Sequence, residues 1–317
     1  MFFRLAFDEK NLEFAAINDL ANLENLAYLL KYDSVYRVFP REVSTKTKGG
    51  KNYLVVDGRE ILVIQEEDPG KLPWKDLKID IVVEATGAFE SYEEARAHIR
   101  AGAKKVALTA PAKDPDTRDA KTILIGVNDR ETRGAVLTSN GSCTTNAASP
   151  VIQIMSENPG IKKAVLNTVH GYTATQNLVD GPARGKDFRR GRAAGQNIVP
   201  STTGAATAVT RAIPELTGKF DGISMRVPVI SGSIADITFL AGRKTSAEEI
   251  NNILEKAAKD PRWRGILKVT KDQIVSSDII GEPYGAIIDL KFTKVIDGDL
   301  VKVLSWYDNE YGYAATL

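Results

Sequence analysis

Up to residue 143 the chain alternates apolar runs with amphipathic stretches, and beyond it that alternation stops. Runs at 12–17, 79–87, 106–109, 123–125 and 135–137 read as strands, while Leu20, Leu23, Leu26 and Ala27, then residues 91–101, recur at helical spacing. Strand and helix in alternation specify an α/β fold, a doubly wound parallel sheet. The run IDIVVEATG at 79–87 ends in small residues, as expected of a buried strand whose C-terminal end faces a ligand. Two alternating runs, 53–56 and 60–65, flank Asp57-Gly58, a two-residue hairpin signal. Ser91 with Glu94 three residues on marks a capped helix start, and His98, among charges on that helix, reads as a surface residue.

Beyond residue 143, strands at 164–169, 233–240 and 286–291, a helix at 247–258 and a hairpin across Asp297-Gly298 predict a second, α+β domain on a mixed, largely antiparallel sheet. A chain of 317 residues, 43% hydrophobic and 26% charged, is long enough for both. Its formal charge of +1 gives no footprint for nucleic acid or a membrane surface, so neither is expected as a partner. The apolar start is too short for a secretory core and meets Asp8 and Glu9, and no run reaches the ~18 apolar residues of a membrane helix. A single cysteine excludes an internal disulfide and agrees with a reducing, cytoplasmic location; no metal is expected.

That cysteine, Cys143, lies in SNGSCTTNAASP at 139–150, after the run 135–137 and before Ala147, Ala148, Val151, Ile152, Ile154 and Met155 at helical spacing. A thiol at such a strand-to-helix turn, with Ser142 as N-cap, meets the free amides and positive dipole end of the helix, which favour a thiolate over a free cysteine of pKa ~8.5. Ser139, Asn140, Thr144, Thr145 and Asn146 surround it with hydrogen-bonding groups. His170 follows the apolar run 164–169 and is the candidate base, since a cysteine needs a partner near neutral pKa to hold its proton. Residues 174–200 lack periodicity and form a long loop of the kind that carries function. Its basic run, Arg184, Lys186, Arg189, Arg190 and Arg192, reads mostly as solvated. Thr203 and Gly204 open a helix whose free amides suit an oxyanion, and Arg226, between apolar strand residues, needs an anion if buried.

SNGSCTTN resembles the active-site octapeptide of the phosphorylating glyceraldehyde-3-phosphate dehydrogenases, with Gly141 where that family usually has Ala. AINDL at 16–20, TVHGYTATQ at 168–176, STTGAA at 201–206, MRVP at 225–228 and SWYDNEYGY at 305–313 match in the family's order, so the resemblance spans essentially the whole chain. It implies a Rossmann-type NAD-binding domain over 1–142, a catalytic domain over 143–304 and a return segment, 305–317. It also implies Cys143 as nucleophile with His170 beside it, and oxidation of glyceraldehyde 3-phosphate with inorganic phosphate. Ser142, Thr144, Thr173, Arg192, Thr203, Gly204 and Arg226 would serve substrate and phosphate. Asn18, Asp19, Leu20, Thr86, Gly87, Phe89, Thr109 and Asn309 would serve NAD. The 174–200 loop resembles one that reaches a neighbouring subunit's cofactor in a homotetramer.

Asp19, at a strand end, stands where dinucleotide folds grip the ribose hydroxyls, and with Leu20 it favours NAD over NADP. It also precedes a helix it could cap, and local sequence leaves both roles open. The glycine fingerprint that precedes such an acid by about 20 residues would fall before Met1, and the family continues past Leu317 into a long helix. Both ends are therefore expected to be clipped, with two strand edges unpaired where the first strand is missing. Two alternatives stay open: an erythrose-4-phosphate dehydrogenase with the same machinery, and a non-catalytic binding or assembly remnant.

Overall fold

The alternating first half folds, among the described residues, as two four-stranded sheets and a short two-stranded pair, Tyr32–Asp33 with Arg37–Val38. The computed structural model describes residues 1–183 and 185–317, so Arg184 of the basic run lies outside the described residues. In the first sheet Ala16–Asn18 pairs in parallel with Arg59–Ile64, which continues antiparallel into Lys51–Val56 and Val43–Lys48. The hairpin between the middle strands turns at Asp57 and Gly58, with φ of 47° and 79°, the two positive values a tight right-twisted hairpin demands. The second sheet, in the order Ile81–Glu84, Lys105–Leu108, Leu137–Ser139, Ala120–Thr122, is parallel throughout. Its C-terminal strand ends therefore share one rim, where ligands bind in open α/β sheets. Among the described residues Ala16–Asn18 and Ile81–Glu84 each pair with a strand on one side only, and Ile81 is 53% exposed.

Three strand positions differ from the sequence reading. The strand expected at 123–125 is Ala120–Thr122, that at 135–137 is Leu137–Ser139, and that at 12–17 is Ala16–Asn18. Ile123 and Leu124 are buried, but the Leu124 amide is held by the Asn128 side chain in a turn. Apolar content marks burial, whereas ladder pairing defines the strand.

The helix Leu23–Lys31 is capped by Asn22, whose side chain accepts from the Asn25 amide, so Asp19 is not its cap. Ser91 and Glu94 form the expected capping box on Tyr92–Arg100. His98, expected at the surface, is only 4% exposed. Tyr92, Ala95 and His98 lie three apart on the face turned to the sheet, and that spacing outweighs the charged neighbours.

Beyond Cys143, Ile161–Gly171 runs through the middle of a larger mixed sheet, parallel to Phe220–Val227 and antiparallel to Ser233–Ala241, which is followed by Leu300–Tyr307. The helix Cys143–Glu157 lies on this sheet, with Ala147, Ala148, Val151, Ile152 and Met155 packed in one core with Leu166, Ile237 and Val303. Each large aliphatic chain buried there contributes ~1.5–3 kcal/mol, enough to hold the helix start against the sheet. That start carries Cys143.

Candidate active site

Ser142 caps the helix: its hydroxyl accepts from the Thr145 amide at 3.1 Å while its own amide donates to Thr145 Oγ1 at 3.0 Å. Cys143 is thereby the first helical residue, and its half-buried Sγ stands 3.3 Å from His170 Nε2. The Ser142 hydroxyl, expected to serve phosphate, also lies 2.9 Å from Thr145 Oγ1.

His170 comes from the end of Ile161–Gly171 and is 3% exposed. Its parallel register partner on Phe220–Val227 is Arg226. The guanidinium Nη1 lies 2.5 Å from His170 Nδ1, and the Gly171 carbonyl is 2.7 Å from the same nitrogen. An Nδ1–H donated to that carbonyl leaves the Nε2 lone pair facing Sγ, the tautomer a base requires. It requires Arg226 Nη1, which can only donate, to direct its hydrogen to the Gly171 carbonyl 3.2 Å away rather than to Nδ1. Burial, then the Arg226 charge, pushes the His170 pKa down to about 3, only partly opposed by the Gly171 carbonyl.

The thiol departs from the sequence reading. Burial pushes the Cys143 pKa up; Arg226, hydrogen bonds from Thr144 and the Cys143 amide pull it down without reversing the shift. Helix-end stabilisation is present, but desolvation of the thiolate exceeds it. Both shifts run toward the neutral forms of a thiol and an imidazole that stand 3.3 Å apart.

Arg226 is half-buried and, among the described residues, pairs with no carboxylate. Burial lowers its pKa, Cys143 and Tyr307 oppose this, and Arg190 adds to it. The positive field of Arg190 thus adds to that of Arg226, a charge arrangement that suits an anion. Arg190 also donates to Thr175 Oγ1 and Ser201 Oγ, both at 3.0 Å. Arg192, the phosphate arginine that the resemblance implies, is instead exposed, with Nε 2.8 Å from Asp180. Arg190 is the residue the sequence reading missed: in a run of arginines, spacing does not tell which one turns inward.

Thr144 was also expected to meet phosphate, yet it is buried and its hydroxyl is 2.8 Å from Tyr307 Oη. Thr168 Oγ1 reaches the same Oη at 2.7 Å. Tyr307, also missed, thus ties the helix start behind Cys143 to the strand leading to His170. Thr173 Oγ1 lies 2.9 Å from Thr175 Oγ1, and Thr203 accepts from the Ala205 amide beside the exposed Gly204 at the start of Ala205–Ala212.

The expected cofactor residues gather at the strand ends. Asp19 Oδ1 accepts from the Ala21 amide, and the exposed carboxylate keeps its other oxygen free beside Leu20. Gly87, at φ 69°, has no heavy atom within 4 Å of a Cβ built on it, open space at the rim. Asn309 Oδ1 accepts from the Gly232 amide and Ser233 Oγ, both at 3.0 Å, so its Nδ2 is left to donate. These groups fit a dinucleotide. Asn18 does not act the same way, because both ends of its amide clamp the Glu66 backbone. Thr86, Phe89 and Thr109 are held by a buried cluster around Glu84.

A parallel sheet with an open C-terminal rim and a Cys–His pair beside a half-buried arginine suit one class, an NAD-dependent oxidoreductase. The chain belongs to the glyceraldehyde 3-phosphate dehydrogenase family, and NAD is its cofactor: the family's NAD binding domain matches residues 1–92 and its C-terminal domain matches 142–309. A glyceraldehyde-3-phosphate dehydrogenase of Thermotoga maritima is 50% identical over 315 residues, covering 98% of this chain and 91% of the relative. That of Borreliella burgdorferi is 46% identical over 319 residues (98% and 92%), and that of Clostridium pasteurianum 43% over 318 (99% and 91%).

Proposed function

We propose that this chain oxidises D-glyceraldehyde 3-phosphate to 1,3-bisphosphoglycerate, a glycolytic step, through a thioester on Cys143. The observation that carries the reading is Arg226, half-buried with no carboxylate partner and in contact with His170. A cation left so beside a nucleophile and its base is suited to a phosphorylated substrate or an attacking phosphate.

Cys143 Sγ adds to the aldehyde carbon as its proton passes to His170 Nε2, and the protonated imidazole then gives that proton to the new oxygen, which becomes a hydroxyl. NAD, when bound, supplies the hydride acceptor. His170 takes the hydroxyl proton as the carbonyl reforms, leaving an acyl thioester. Inorganic phosphate attacks that carbon, the C–S bond breaks, and Cys143 leaves as thiolate to be reprotonated. Arg226, Arg190, Thr173, Thr203 and Gly204 are the proposed phosphate groups. Asp19, Leu20, Thr86, Gly87, Phe89, Thr109 and Asn309 are the proposed cofactor groups.

The domain division at 142/143 is supported by sheet membership, since no strand of the larger sheet precedes Ile161 among the described residues. Residues 305–307 still pair in that sheet within Leu300–Tyr307, so the proposed return segment starts after Tyr307 rather than at 305. A homotetramer is supported by the 174–200 loop, where Leu178 and Phe188 are each 80% exposed and call for a covering surface. A cytoplasmic location follows from the phosphorylated substrate. Among the described residues no helix is long and apolar enough to cross a membrane. The test compares NADH formation from glyceraldehyde 3-phosphate and erythrose 4-phosphate, with and without inorganic phosphate. Preference for the triose with full phosphate dependence supports the reading; preference for the tetrose overturns the substrate.

A further inference from the structure

Glu84, His98 and Trp74 form a buried polar chain that no step above uses. Trp74 Nε1 lies 3.0 Å from His98 Nδ1, and His98 Nε2 lies 2.9 Å from Glu84 Oε2. An indole nitrogen only donates, so Nδ1 accepts and the imidazole proton sits on Nε2, directed at the carboxylate. One carboxylate oxygen is thus taken. The other, Oε1, accepts from the Thr86 amide at 2.7 Å and from the Thr86 hydroxyl, and that hydroxyl oxygen accepts from the Ala88 amide at 3.1 Å. The Glu84 carbonyl accepts from both the amide and hydroxyl of Thr109. The Phe89 ring meets the His98 ring edge to face, with centroids 6.5 Å apart.

We propose that Trp74, His98 and Glu84 are positioning residues for the NAD cleft: they fix the direction of one hydrogen-bond chain so that a single carboxylate oxygen shapes the turn at 86–88. The inference rests on the reading that this turn lines the cofactor cleft. Because every proton in the chain has one place, changing one end constrains the other. Glu84→Gln offers one oxygen where two were used. That oxygen serves either His98 or Thr86, and the Trp74 donor prevents the imidazole from switching tautomer to accept the new NH2. Trp74→Phe removes that block, so in the double variant His98 Nε2 accepts from Gln and the turn regains its acceptor.

The test measures amide exchange at Thr86 and Ala88 in the NAD-free chain, NAD affinity by calorimetry, and Cys143 alkylation by iodoacetamide. Loss of a buried acceptor predicts that Glu84→Gln loses roughly tenfold in protection and in NAD affinity, with the alkylation rate unchanged. The Trp74→Phe/Glu84→Gln chain should recover both to near the Trp74→Phe level. Equal losses in single and double variants, or no loss in Glu84→Gln, overturn the proposal. If Glu84→Gln fails to fold, recovery of folding in the double variant is the same coupling read as stability, and failure of both overturns it. A wild-type chain that binds no NAD sinks the cofactor reading, and the proposal with it; NAD binding without coupling sinks the proposal alone.

Discussion

His170 and Arg226 are register partners on adjacent parallel strands, with Nη1 2.5 Å from Nδ1. Strand pairing thus fixes a guanidinium against the imidazole that the proposed reaction uses as its base. The imidazolium is disfavoured first by burial and then by this cation, so the ring remains an acceptor through the neutral range. The cation opposes the upward shift of the thiol as well. Occupation of Arg226 by an anion should therefore act on both groups at once.

Saturating phosphate is predicted to raise the His170 pKa, because it screens the nearest positive charge, and to slow Cys143 alkylation, because the thiolate loses that stabilisation. NMR titration, with His170→Asn to assign the two histidines, checks the first effect, and alkylation rates check the second. A pKa insensitive to phosphate would place the bound ion away from Arg226.

The lowered histidine pKa also makes stability pH-dependent. Between the ordinary value of 6.5 and about 3, unfolded chains carry a proton on this histidine that folded chains do not. The unfolded state binds more protons there, so the His170 contribution makes stability fall as pH falls through that window, and below it the dependence ends. A tenfold change in proton affinity is worth about 1.4 kcal/mol, which limits the whole His170 contribution to a few kcal/mol. His170→Asn should flatten the acid limb of a denaturation-midpoint profile, and an unchanged slope would show that other groups set it.

Tyr307→Phe removes the hydroxyl shared by Thr144 and Thr168. Thr168 keeps a contact to the Ile234 carbonyl at 3.2 Å, but the buried Thr144 hydroxyl loses Tyr307 and is left with Cys143 alone. The cost should be about 1–3 kcal/mol of stability, with a fall in kcat because Thr144 adjoins the nucleophile. Denaturant titration and steady-state rates test this, and wild-type values in both would remove Tyr307 from the site.

Arg190→Ala should raise the KM for phosphate by about tenfold or more, the loss of one charge-assisted contact, whereas Arg192→Ala should change it little. The reverse order would restore Arg192 as the phosphate arginine.

These cases mark what was legible in the chain. Ser142, Cys143 and the helix after it were readable because capping chemistry and apolar spacing are local, as were Ser91–Glu94 and the Asp57-Gly58 turn. His98 was misread because charge on neighbouring residues said surface while the three-residue spacing with Tyr92 and Ala95 said core. The strength of the thiol's activation was not legible, since desolvation depends on residues from distant strands. Nor was the inward turn of Arg190 against Ser201, with Arg192 left exposed beside Asp180. Membership of the family came through six separated motifs, and the pairing of His170 with Arg226 only from the sheet register.

The most direct measurement is mass spectrometry of the chain mixed with NAD and glyceraldehyde 3-phosphate without inorganic phosphate, followed by phosphate addition. An acyl adduct on Cys143 that forms with NADH and disappears on adding phosphate is the predicted result, with none in Cys143→Ser. Phosphate-dependent NADH formation that persists in Cys143→Ser, or that proceeds with the adduct on another residue, would contradict the account.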